Sequence, residues 1–156
     1  MNTSPMKSRP TIDQILNDFF QAQLHRTRGE NRQRIETVRR LLLQSLEADG
    51  ERVLVDEDVA LLEVERAFNP TNAFARTMHA DDLLVFLPAF VTAPWLAEDL
   101  TLRQKQIWIS DALVKHLGAS GLLGDDDYSC FFLEAQARVH GARAGYFIER
   151  KKLLGF

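Results

Sequence analysis

Cysteine is nearly absent from this sequence: Cys130 is the only one. A single cysteine excludes an internal disulfide and fits a reducing compartment. Long apolar runs are missing as well. The longest, LLVFLPAFV at 83–91, has nine residues, against the roughly 20 that a membrane-spanning helix needs. The opening MNTSPMKSRP holds no apolar stretch of the kind a secretory signal carries. A cytoplasmic protein without membrane contact is therefore expected. Lysine is scarce, 5 residues against 14 arginines. There is no Gly-rich phosphate loop, no Gly-x-Ser-x-Gly elbow and no Cys–His pair at a recognisable spacing. No stretch reads firmly as a strand, and no low-complexity tract or repeat interrupts the chain.

What is there is a chain of 156 residues, enough for one domain with a core of its own. The net charge of −3 is unevenly spread. Residues 1–50 carry 8 basic and 6 acidic side chains, residues 51–100 carry 3 and 10, and residues 101–156 carry 8 and 6. An acidic middle between mildly basic ends does not describe a generic polyanion binder.

Helical periodicity dominates. Residues 1–10, with Pro5 and Pro10, read as a mobile tail. Thr11 and Gln14 form a capping box ahead of Ile12, Ile15, Leu16, Phe19, Phe20 and Leu24. Leu16, Phe19 and Phe20 are expected in the core. A second helix spans about 30–48, with Ile35, Val38, Leu42 and Leu46 inward. RVLV at 52–55 suits a short strand or an extended link. A third helix covers 56–68, and NPTN at 69–72 breaks it. A fourth begins near Asp81 and contains Pro88, which predicts a kink or two short helices. A fifth is expected to be capped by Thr101 and to end near Leu117. A sixth runs from Asp127 or Ser129 to about Lys152.

The segment HRTRGENRQRIETVRR, from His25 to Arg40, holds six arginines and two glutamates. Arg32 and Arg39 fall on one flank of the second helix, Arg34 on the other, and Arg40 points outward. Glu36 sits at ion-pairing distance along the helix from Arg32 and Arg40. Most of this charge therefore reads as a solvated helix face. Phosphate contact by Arg26, Arg28, Arg32, Arg34, Arg39 and Arg40 is the functional alternative.

Other constellations have plain structural readings beside the functional ones. His25, His79, His116 and His140 lie far apart, with no metal-ligand spacing. His79 with Asp81 and Asp82 could serve acid–base chemistry, but aspartates there suit the start of a helix. GDDD at 124–127 lacks the alternating oxygens of a calcium loop. Cys130, beside Phe131 and Phe132, is expected to be buried and inert. The 83–91 segment is apolar all round, so it is core or a docking surface. Ala137, Gly141 and Gly145, spaced by four, make a smooth strip for a second helix. A neighbour within the fold is the first choice for that helix, and a second subunit is the other.

From Thr11 to about Leu123 the chain resembles the helical core-binding (SAM-like) domain of tyrosine recombinases. The resemblance lies in ILNDFF after a capped start, IETVRRLLLQSL, DLLVFLPAFV and LVKHLGASGLL. It implies a DNA-clamping module. The family's catalytic domain has no counterpart, since Tyr128 and Tyr146 lie in another context and only about 30 residues follow Leu123. No catalytic residue carries over.

The sequence thus predicts a single all-α bundle of about six helices over 11–156. Its function reads as binding rather than catalysis, with no cofactor or metal. Two partner classes stay open: duplex DNA at the Arg26–Arg40 region, and a protein or second copy at 83–91 or the last helix. An enzyme comes third and would need His79, Asp81 and Asp82 as its centre.

Overall fold

The computed structural model describes residues 9–123 and 128–155, and among them the chain is all helix, with no strand. The described residues form seven α-helices: α1 (Ile12–His25), α2 (Glu30–Asp49), α3 (Asp56–Phe68), α4 (Ala73–Thr77), α5 (Ala80–Phe90), α6 (Leu100–Ala119) and α7 (Ser129–Leu153). A 3-10 turn, Gly50–Val53, follows α2.

α1 starts where the capping box lies. The Gln14 amide donates to Thr11 Oγ1 at 3.3 Å, and the Thr11 amide to Gln14 Oε1 at 3.0 Å. Each satisfies an amide that the first turn cannot pair. Ile12, Ile15, Leu16, Phe19 and Phe20 are all buried. A lone antiparallel bridge pins this start to the entry of α5, with the Ile12 amide donating to the Met78 carbonyl at 2.8 Å.

α5 lies at the centre, packed against α1, α2, α6, α7 and the 3-10 turn. Leu83, Leu84, Phe86, Leu87 and Phe90 are buried, and Val91 with them. An apolar circumference is explained by neighbours on most sides of the helix. Most of the 83–91 segment is therefore core, with Val85, Pro88 and Ala89 partly covered. Pro88 stands inside one continuous helix rather than between two. It sits in the last turn, where few further hydrogen bonds remain to be lost.

Other expectations need correction. The 52–55 stretch is not a strand: 52–53 close the 3-10 turn, and Leu54 and Val55 form the extended link, the other expectation. At Gly50 the Phe74 ring approaches so closely that a Cβ would stand 2.7 Å from it, so the chain turns where only glycine fits. α4 was not foreseen in the sequence. Its five residues are too few to show a period, and Asn72 ahead of it takes a left-handed conformation, φ 49°, which asparagine tolerates. α6 is capped by Asp99, whose carboxylate accepts from the Leu102 amide at 3.3 Å, two residues before Thr101. The expected mobile tail lies outside the described residues up to position 8, as does GDDD at 124–127.

Candidate interaction surface

The six arginines of the His25–Arg40 segment do not share a face. Arg39 turns to α1, hydrogen-bonded to Asn17 and standing over the Phe20 ring, 5.9 Å from its centroid. Arg32 donates to the Leu24 carbonyl at 2.9 Å and pairs with Glu36 at 3.6 Å. Arg34 turns the other way. It pairs with Glu30 at 3.4 Å and lines a groove with Asn31, Thr101, Gln104, Lys105 and Trp108. The side chains of Arg26, Arg28 and Arg40 make no ion pair or hydrogen bond among the described residues. α2 packs between α1 and α6, and those neighbours separate the two flanks.

His79, Asp81 and Asp82 gather at the start of α5. Asp81 accepts from Arg9 at 3.1 Å and from the Tyr128 hydroxyl at 3.2 Å. The Asp82 carboxylate accepts from the His79 amide at 3.3 Å, which caps the helix. Burial pushes the Asp82 carboxyl up to about 6, and the Asp81 charge adds to the rise. The His79 amide opposes it, Asp58 adds a smaller rise and Arg9 a smaller fall. A carboxyl whose folded pKa exceeds its ordinary value binds its proton more tightly when folded. Its contribution is fully present at low pH and is lost as pH rises through that interval, from about 4 to about 6. Asp82→Asn keeps an acceptor for the His79 amide and removes the charge. It is expected to stabilise the fold by about 1 kcal/mol above pH 6, allowing for solvent screening, and to match the parent below about pH 4. Urea unfolding at both pH values measures this; an equal difference at both would contradict it.

Among the described residues no three His, Cys, Asp or Glu side chains converge as a metal site. His116 sits tilted against Phe19, ring centroids 5.7 Å apart. No described helix is long and apolar enough to cross a membrane.

An exposed face with apolar and small residues lies on α7, the last helix. Its inward residues Ala135, Val139 and Tyr146 pack on α5 and α6. At about 100° per residue the opposite side carries positions 130, 133, 137, 140, 141, 144, 148 and 151. All eight are exposed. Leu133 is 63% exposed and Ile148 56%. Between them stand Ala137, Gly141 and Ala144, and nothing lies within 4 Å of where a Cβ on Gly141 or Gly145 would be. Among the described residues the Ala137–Gly141–Gly145 strip therefore has no packed neighbour, contrary to the first choice from sequence. Cys130, expected to be buried, is exposed on the same side. Its aromatic neighbours misled: Phe132 packs against the core, but a helix turns a residue two positions away to another face.

Along one edge the strip meets a groove of about 260 Å³ lined by Gln104, Ile107, Trp108, Arg143, Tyr146 and Phe147. Trp108 and Phe147 are each close to half exposed, and Lys105 lies over the Trp108 ring at 5.0 Å. Pattern reading missed Trp108, because a tryptophan on a helix that packs on both sides looks like core. A shorter apolar stripe on α3, Leu61, Val64 and Phe68, is also exposed, with Glu63 and Glu65 beside Val64 in sequence.

Scans of protein-family models, curated proteins and solved structures returned no significant match to this chain.

Proposed function

We propose that this chain is a helical protein-interaction module whose binding surface is the outward face of α7. The observation that supports this most is the unbroken apolar strip from Leu133 through Ala137, Gly141 and Ala144 to Ile148, open to solvent along its length. A continuous apolar face left open to solvent is the kind of surface that contacts a partner. The small residues at its centre let a partner helix approach closely, and Leu133 and Ile148 near its ends supply anchors. The α3 stripe offers three large apolar side chains, Leu61, Val64 and Phe68; α7 is preferred because it is the longer helix and small residues between its anchors admit a partner helix.

A photoreactive side chain placed at Ala137 is expected to cross-link a protein partner in cells. The same group at Gln44, exposed on α2, serves as the control. If Ala137 yields no more cross-linked product than Gln44, the reading fails.

The recombinase resemblance favours a second reading, duplex contact. Arg26, Arg28 and Arg40 support it, as cations without an ion pair among the described residues. The engagement of Arg32, Arg34 and Arg39 within the fold weighs against it. Titration of a labelled duplex at about 50 mM salt separates the two. Backbone contact would show as binding whose log–log salt slope is near −0.9 per phosphate neutralised.

A further inference from the structure

We propose that the outward face of α6 around Trp108 binds single-stranded nucleic acid, stacking bases on its rings and pairing phosphates with its cations. The site is separate from the α7 strip, so its failure would leave the proposed function standing.

The argument of the rings begins at position 108. α6 packs against both α2 and α7. Ile107 and Ile109 are buried there, but Trp108 between them is 44% exposed. An indole left in water forfeits the burial that usually justifies its size, and its flat face is the kind of group on which an unpaired base stacks. Gln104 and Trp108, one turn apart, form a ridge with a groove on each side. Toward α7, the groove of about 260 Å³ adds Phe147 and Arg143. Toward α2, a second groove of about 210 Å³ adds Arg34 and Lys105.

Charge selects the ligand. Three cations and no carboxylate line the two grooves. Lys105 makes no ion pair among the described residues and stands over the indole, 5.0 Å from its centroid. Arg143 is 3.9 Å from Asp111, beyond hydrogen-bond reach, and Lys115 holds that carboxylate at 2.9 Å. Arg34 pairs with Glu30 at 3.4 Å, but the Glu30 side chain is 85% exposed, and such a surface pair binds a guanidinium only weakly. The two mildly basic parts of the chain, 1–50 and 101–156, thus meet along α6. An acidic peptide would answer the cations alone, whereas each nucleotide brings a flat face and a phosphate together. A duplex keeps its bases stacked inside, out of reach of the indole. In the bound strand a base lies in the α7-side groove against Trp108 and Phe147, with Arg143 on its phosphate. The backbone then crosses the ridge to Lys105 and Arg34.

The test is fluorescence anisotropy of end-labelled oligothymidylate and oligouridylate, each about 12 nucleotides long, titrated with the full chain at about 50 mM salt. Micromolar binding is expected for one strand or both, and the tighter of the two identifies the preferred sugar. An abasic strand of the same length carries the phosphates without the bases and should bind about tenfold more weakly. Trp108→Leu should weaken binding by a similar factor, and Trp108→Phe should recover most of it. Lys105→Gln with Arg143→Gln should lessen the log–log salt slope by about 1.4, at about 0.7 per phosphate on a single strand. All three positions are at least partly exposed, so the variants should fold, as circular dichroism will verify; the abasic strand needs no variant. Absence of binding at about 100 µM chain, far above the micromolar range expected, would overturn the proposal and leave the ridge to a protein partner. An abasic strand or a duplex bound as tightly as the intact strand would overturn the stacking, and so would an unchanged affinity in Trp108→Leu.

Discussion

Phe20→Ala is expected to lower stability by about 3–5 kcal/mol, the range for truncating a buried aromatic. The ring is fully enclosed, packs edge-on against Phe19 at 5.2 Å between centroids, and lies beneath Arg39. Its loss opens a cavity where α1 meets α2, and the partly rigid neighbours cannot close it. Urea unfolding gives the number. A loss under about 1 kcal/mol would mean that the α1 face is not the core contact described here.

Gln106→Leu should cost nearly as much, about 3–4 kcal/mol, although leucine is close to glutamine in size. Gln106 is fully buried on α6. Its Nε2 donates to the Phe90 carbonyl at 2.9 Å and the Trp95 carbonyl at 3.0 Å, and its Oε1 accepts from the Ala97 amide at 2.9 Å. One side chain thus holds the link between α5 and α6. Leucine would leave three backbone groups without that partner in a partly dry site, each costing roughly 1–3 kcal/mol unless water reaches it. Hydrogen exchange of residues 91–99 should quicken along with the lower urea midpoint. An unchanged midpoint would show that the link holds itself.

α1 was legible in full because two local signals coincide there: a capping box and a run of apolar residues at helical spacing. Each needs only neighbours in sequence. α3 was bounded correctly for a similar reason, three acids at its start and NPTN after its end. The start of α6 was misplaced because Asp99 and Thr101 both fit a cap, and the fold chose the earlier residue. Gln106 carried no signal, since a polar residue amid a helical pattern reads as solvent-facing. Only the α5–α6 link, folded back over it, turns that position inward.

The arginine segment divides along the same line. Its spacing alone placed Arg32 and Arg39 on one flank of α2 and Arg34 on the other, because rotation per residue is a property of the backbone. That Arg39 meets Asn17 and Phe20 while Arg34 borders Trp108 depends on which helices lie beside α2.

By itself the sequence determined the helical class, most of the helix boundaries and the apolar stripes that form the core. These rest on hydrogen bonds and periodicities spanning a few residues. Only the tertiary structure decided which apolar faces are covered. The 83–91 segment and the outward side of α7 are both rich in apolar or small residues, yet most of the first is buried among other helices while α7 leaves one side bare. Burial is a property of the neighbours that pack against a face, and those arrive from distant parts of the chain.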